Sequence, residues 1–204
     1  MTAPHYLPLP DFTTLPSPVY FRYDEFPAGS ESLEHRHDWG QLNYTTQGIM
    51  HLRVEGKRFL SPPQYAVWIP PGAAHGSYNP NAVIYRSVYI DSTLCGDLPT
   101  QACTVAITDI LKAILVDFAR RGVHEPEHES DQRLARVMLD QLSLSAQGVP
   151  YFLPYTDHPV LGMDRCLEEA KAPDLRDGIL EKYLFDNADA VLFGERNPRY
   201  GEFK

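Results

Sequence analysis

Between Val19 and Asp91 the chain breaks into short runs, Val19–Tyr23, Gly40–Thr46, Ile49–Val54, Lys57–Leu60, Ala66–Ile69, Gly76–Asn79 and Val83–Ile90, separated by Gly, Pro and Asn. Runs of this length, rich in Val, Ile, Tyr and Phe and closed by turn residues, predict the strands of a barrel or sandwich. Glu55-Gly56, between two alternating runs, is a hairpin signal. Ahead of them, residues 1–17 carry Pro4, Pro8, Pro10 and Pro16. Each proline removes a backbone donor, so this stretch is excluded from a central strand and reads as an extended arm, laid on the barrel or loose. After Pro99 the hydrophobic period lengthens to that of a helix. Thr108 is placed to cap a helix whose stripe Ile110, Leu111, Ile114, Leu115 and Phe118 stops at Gly122. A polar connector follows, and Ser130 is placed to cap a second helix with Leu134, Val137, Met138, Gln141 and Leu142 on one face. Two amphipathic helices joined by a short loop predict an antiparallel hairpin. The expected organisation is an arm (1–17), a mainly β barrel (18–98), a helical hairpin that packs on the core and is a candidate dimerisation element (99–148), and a linker with an atypical helical tail (149–204).

A chain of 204 residues with a net charge of −9 suits one domain and an appendage. The acidic balance and the scattered Lys and Arg argue against direct nucleic-acid binding, which needs a basic surface. Cys95, Cys103 and Cys166 show no CxxC spacing and read as reduced thiols of a cytoplasmic protein. No apolar stretch is long enough to span a bilayer, and the N-terminus lacks the charged and apolar regions of a signal peptide.

The chemistry concentrates in two segments, His35-Arg36-His37-Asp38-Trp39-Gly40-Gln41 and Pro70-Pro71-Gly72-Ala73-Ala74-His75. In a strand, alternate side chains share a face, so His35, His37, Trp39 and Gln41 have one parity and are expected to point into one barrel. A tight turn at Pro71-Gly72 would bring His75 to the same interior, because proline presets φ and glycine permits a positive one. Three imidazoles and a carbonyl oxygen make a candidate divalent-metal set, His35, His37, Gln41 and His75, with Zn²⁺, Ni²⁺ or Fe²⁺ favoured by the imidazoles. An uncharged Gln41 leaves that set neutral and weakens its hold on a dication. The competing reading is a metal-free pocket whose histidines hydrogen-bond an organic ligand or one another. Trp39, Gln41, Tyr44, Arg53 and Trp68, with Tyr89 at the rim, are the candidate ligand-pocket residues, set against simple core packing of the aromatics. Asn79 is expected to order the turn near it. His51, His124, His128 and His158 have no partners at useful spacing and read as surface residues.

Taken together, Gly29 to His35-x-His37, Gln41 and Gly48, then Pro70-x-Gly72, His75 and Asn79, resemble the two motifs of the cupin family, with Gln41 where metal-binding cupins usually have Glu. Within cupins the runs HRHDWGQLNYTTQGIMHLRVEGKRF, PPQYAVWIPPGAAHGSYN and YRSVYID are most similar to the N-terminal sensing domain of AraC-type transcription regulators, over residues 18 to 165 and most specifically over 33 to 91. That resemblance implies a double-stranded β-helix (jelly-roll) barrel, a small-molecule effector inside it, and helices that pack on the barrel and often carry a dimer contact. Residues 154–161 resemble the linker into the DNA-binding half of such regulators. The helix-turn-helix units that the resemblance implies next are not seen. Residues 179–194 form instead an acidic amphipathic run that resembles the C-terminal helix of amidohydrolase-family enzymes and reads as a fused tail. The resulting expectation is a ligand-sensing domain without DNA-binding helices, acting as a homodimer or as a heterodimer with full-length regulators. The alternative is a metal-dependent cupin enzyme of dioxygenase or isomerase type, built on His35, His37 and His75.

Overall fold

The computed structural model describes residues 5–146, apart from Pro8 and Asp11. The linker and tail read at 149–204, with His158 and Cys166, lie outside the described residues. Ten strands are described: β1 (His5–Tyr6), β2 (Val19–Phe26), β3 (Ser30–His35), β4 (Gly40–Gln47), β5 (Met50–Val54), β6 (Lys57–Ser61), β7 (Tyr65–Ile69), β8 (His75–Asn79), β9 (Val83–Ile90) and β10 (Cys103–Ala106). They make two five-stranded sheets, β1-β3-β8-β5-β6 and β10-β7-β4-β9-β2. Apolar residues from both sheets meet in one cluster that includes Phe26, Met50, Leu52, Phe59, Val67, Ile69 and Tyr85, which is the filled interior of the expected jelly-roll barrel.

The second sheet is buried on both faces. Its other side joins a larger cluster with Phe21, Leu42, Tyr44, Trp68, Val88 and Ile90 from the strands and Leu111, Ile114, Leu115, Phe118, Met138 and Leu142 from two helices. Those helices are α1 (Asp109–Arg121) and α2 (Glu129–Ala146). The Thr108 hydroxyl accepts a hydrogen bond from the Leu111 N–H, and Gly122 closes α1 in the left-handed conformation, as the sequence pattern predicts. Ser130 does not cap α2: the helix already begins at Glu129, with the Gln132 N–H bonded to the His128 carbonyl. Ile110 and Val137, counted in the two stripes, are exposed, and Ala135 and Asp131 are buried in their place.

Two strands depart from the sequence reading. Cys103–Ala106, in the stretch read as helical, pairs antiparallel with β7 before the helices begin. Ser30–His35 is a strand of the first sheet, whereas Gly40–Gln47 belongs to the second. His35, His37, Trp39 and Gln41 therefore do not lie on one strand. The chain crosses between sheets over 36–39, so strand parity is not what relates these residues. Glu55-Gly56 does form the hairpin, with positive φ at both residues (48° and 74°).

Candidate metal and ligand site

His35 closes β3 and His75 opens β8, and the two are register partners across the antiparallel pair. His37 sits in the crossing between the sheets. The Pro70-Pro71-Gly72 turn is tied to that crossing, since the Gly72 N–H donates to the His37 carbonyl at 2.8 Å. Gly72 holds φ at +79°, which a side chain would strain. One hydrogen bond thus joins the two sequence motifs and fixes where both deliver their imidazoles.

The ring centroids lie 4.3 Å apart for His35 and His75, 4.8 Å for His37 and His75, and 5.9 Å for His35 and His37. One nitrogen from each ring falls within 4.8 Å of the others, so the three form a group that could hold a metal ion. The remaining nitrogens are accounted for in one way. Nδ1 of His35 lies 2.8 Å from the Leu33 carbonyl oxygen, Nδ1 of His37 2.8 Å from that of Trp39, and Nδ1 of His75 2.9 Å from that of Ala73. A carbonyl only accepts, so with the proton on Nδ1 each of these bonds is made and Nε2 is left as a lone pair; at His37 the proton has a second acceptor within reach, because Nε2 faces Gln41 Oε1. This outer shell of carbonyls is what orients metal-ligating histidines. His75 is 2% exposed, and its Nε2 is buried without a hydrogen-bond partner. Burial above all lowers its pKa to about 3, and burial likewise lowers that of His37, so both rings stay neutral and available as ligands near pH 7.

Gln41 stands beside this group. Its Oε1 stands 2.8 Å from His37 Nε2, while its Nε2 donates to Asn43 Oδ1 (2.8 Å) and the Tyr85 hydroxyl (3.1 Å). The donor set fits a borderline divalent ion held by imidazoles and one amide oxygen.

Beside this group opens a narrow cavity of about 30 Å³, lined by Arg22, His35, Gln41, Asn43, His75 and Tyr89 and by apolar side chains of both sheets and of the arm, Leu7 and Leu9. Of the residues expected in or around the pocket, Gln41 and Tyr89 line it. Trp39 is not among the lining residues; its ring stacks on His37 at 4.4 Å. Tyr44 and Trp68 are elsewhere: they face the helices, and Trp68 Nε1 donates to the Pro99 carbonyl at 2.7 Å. On β4 the parity of Tyr44 is that of Leu42, opposite to that of Gln41, which settles its side of the sheet. Arg53 is exposed on β5. Asn79 does not order its own turn; its Nδ2 donates across the strand pair to Ser30 Oγ at 3.1 Å. His124 reaches the edge of β2, where its Nδ1 pairs with the Phe21 carbonyl at 2.9 Å. Sequence reasoning missed Asn43 and Arg22. Asn43 follows Gln41 by two residues and so shares its face, and Arg22 shares the parity of the inward-facing Phe26.

A family model described as AraC-like ligand binding domain matches residues 22–147. The HTH-type transcriptional regulator NimR of Escherichia coli (strain K12) is 30% identical over 135 residues, which cover 65% of this chain and 49% of that protein. The chain thus spans about half the length of the curated relative it matches. Among solved structures it is similar to an RmlC-like cupin from Shewanella frigidimarina (23% identity, TM-score 0.31, 34% of this chain and 65% of that one). It is also similar to a cupin superfamily protein from Desulfitobacterium hafniense (13% identity, TM-score 0.36, 38% and 72%). No helix among the described residues is long and apolar enough to cross a membrane.

Proposed function

The chain belongs to the AraC-like ligand binding domain family, and from that premise we propose that it is the effector-sensing barrel of a transcription regulator, acting in the cytoplasm. The observation behind this reading is a single cavity bordered by a buried polar set (Gln41, Asn43, His75), by apolar residues of both sheets, and by Leu7 and Leu9 of the arm. A small molecule there would touch both sheets and the arm at once, so its binding shifts the population in which the arm is ordered. His35, His37 and His75, with Gln41 as fourth donor, hold a divalent ion (Zn²⁺, Ni²⁺ or Fe²⁺). Such an ion supplies a positive charge and open coordination positions for the effector. The outward stripe of α2 meets a second copy of this chain or a full-length regulator of the same family. Where the partner is a full-length regulator, DNA binding is that partner's work, given the acidic balance of this chain.

Elemental analysis by inductively coupled plasma mass spectrometry tests the metal reading. The expected result is near-stoichiometric metal in the purified protein and its loss in a His35→Ala/His37→Ala double variant. Thermal-shift screening of small metabolites tests sensing. Stabilisation that is insensitive to changes at Gln41, Asn43 and Tyr85 would place the ligand outside the barrel.

A further inference from the structure

The sequence carries −9, yet the described residues lining the cavity include one arginine, Arg22, and no aspartate or glutamate. Arg22 is held in place by its neighbours. It is ion-paired with Asp24, its Nη1 donates to the Tyr89 hydroxyl at 3.3 Å, and its guanidinium lies 5.6 Å from the centroid of the Tyr85 ring. Its side chain is 18% exposed, whereas Asp24 is 34% exposed and is not among the lining residues. Solvent therefore screens the carboxylate more than it screens the guanidinium. A guanidinium already oriented in a partly dry cavity needs little reorganisation to meet an anion.

The metal-facing wall favours the same partner. Three neutral imidazoles and an amide leave the charge of any bound dication uncompensated, and an uncompensated buried charge is costly. A ligand that brings a negative oxygen removes that cost. Leu7, Leu9, Phe26, Met50 and Leu52 give the lining an apolar stretch beside its polar groups.

Resting on the sensing role above, we propose that the cavity selects a small organic carboxylate with an apolar body. The head group faces Arg22 and the imidazoles, and the body lies against Phe26, Met50 and Leu52.

Calorimetric titration of the full chain, as purified and after loading with Co²⁺, tests this with acetate, isobutyrate and benzoate, each beside its neutral amide, and with glucose. At least one carboxylate is expected to bind about tenfold or more tighter than its amide, and Co²⁺ loading is expected to widen the gap. Arg22→Gln should narrow the preference, while Arg22→Lys should keep it; melting temperature and the Co²⁺ absorption spectrum report that both variants remain folded and loaded. An amide that binds as well as its acid overturns the proposal, as does a preference indifferent to Arg22→Gln, or the absence of carboxylate binding in both forms. Glucose binding without carboxylate binding overturns it and leaves the sensing role standing.

Discussion

Nε2 of His37 stands 2.8 Å from Oε1 of Gln41, and Nδ1 of the same ring stands 2.8 Å from the Trp39 carbonyl oxygen. Both oxygens only accept, so the single N–H of a neutral ring satisfies one of them and the other nitrogen faces an oxygen lone pair, an arrangement that a cation relieves. Gln41 is held in this pose by Asn43 and Tyr85, to both of which its amide donates. Its oxygen is thus aimed at the histidine group by the barrel wall.

Gln41→Glu would put an anionic oxygen where a neutral one now stands. Metal retention against a chelator should rise about tenfold or more, equivalent to ~1.4 kcal/mol, because the carboxylate attracts the dication directly. Carboxylate ligands should bind the same variant more weakly, since the site would already hold its counter-charge. Chelator competition read by elemental analysis checks the first effect and calorimetry the second. Unchanged metal retention would mean that Gln41 does not face the ion.

Gly40→Ala should destabilise the fold without touching the cavity. A methyl group at this start of β4 would come 2.2 Å from Cη2 of Trp68 and 2.9 Å from Sγ of Cys95. Trp68 is fully buried and pinned through its indole N–H to Pro99, so it has little room to retreat. Overpacking of this kind costs about 1–3 kcal/mol. Chemical denaturation should show the loss, with metal content unaltered; a variant of wild-type stability would show that Trp68 moves freely.

The barrel was legible because its strands are short, alternating and closed by Gly, Pro and Asn, and the α1 boundaries because Thr108 and Gly122 are strong caps. The histidine group was legible only as spacing. His35, His37 and Gln41 were assigned to one strand on parity, but His35 ends a strand of one sheet and Gln41 lies in the other. What unites them is the Gly72 N–H bonded to the His37 carbonyl, a long-range contact that local periodicity does not encode. Tyr44 and Trp68 drew attention as aromatics near the motif. Because the second sheet is covered on both faces, aromatic character alone did not say which face each one takes. The strand at 103–106 was missed because its four residues, CTVA, are too few to show a period.

The helical hairpin should loosen in acid. Arg121 on α1 pairs with Asp131 on α2 at 2.8 Å and with Asp117 of its own helix at 2.9 Å. The Arg121 guanidinium holds the Asp131 carboxyl below the usual aspartate range. A depressed folded pKa contributes stability that is present above the unfolded value, about 3.9, and is lost as pH falls through the folded one. Thermal melts should therefore fall more steeply below about pH 4 in the wild type than in Arg121→Gln, whose melting temperature should already be lower at neutral pH. Parallel pH profiles for the two proteins would show that this pair adds nothing between the helices.

The outward face of α2 predicts a dimer. Leu134, Val137, Gln141 and Leu144 recur at alternating steps of three and four, the spacing of a coiled-coil seam, and Val137 and Leu144 are 44% and 62% exposed. The residues that bind α2 to its own domain, Asp131, Ala135, Met138 and Leu142, lie on a different side of the helix. Leu134 also packs against the core, but Val137 and Leu144 are surplus to the fold, and a second copy of the same helix would meet them with a matching pattern. Val137→Lys/Leu144→Lys should convert a dimer into a monomer in size-exclusion chromatography with light scattering. Away from the core, the exchange should change the intrinsic stability of the monomer by only about 0.5 kcal/mol per site. The dependence of melting temperature on protein concentration, expected in the wild type, should vanish in the variant because dimerisation adds to stability by mass action. A wild-type protein that runs as a monomer at every concentration would leave this stripe without a partner among copies of its own chain.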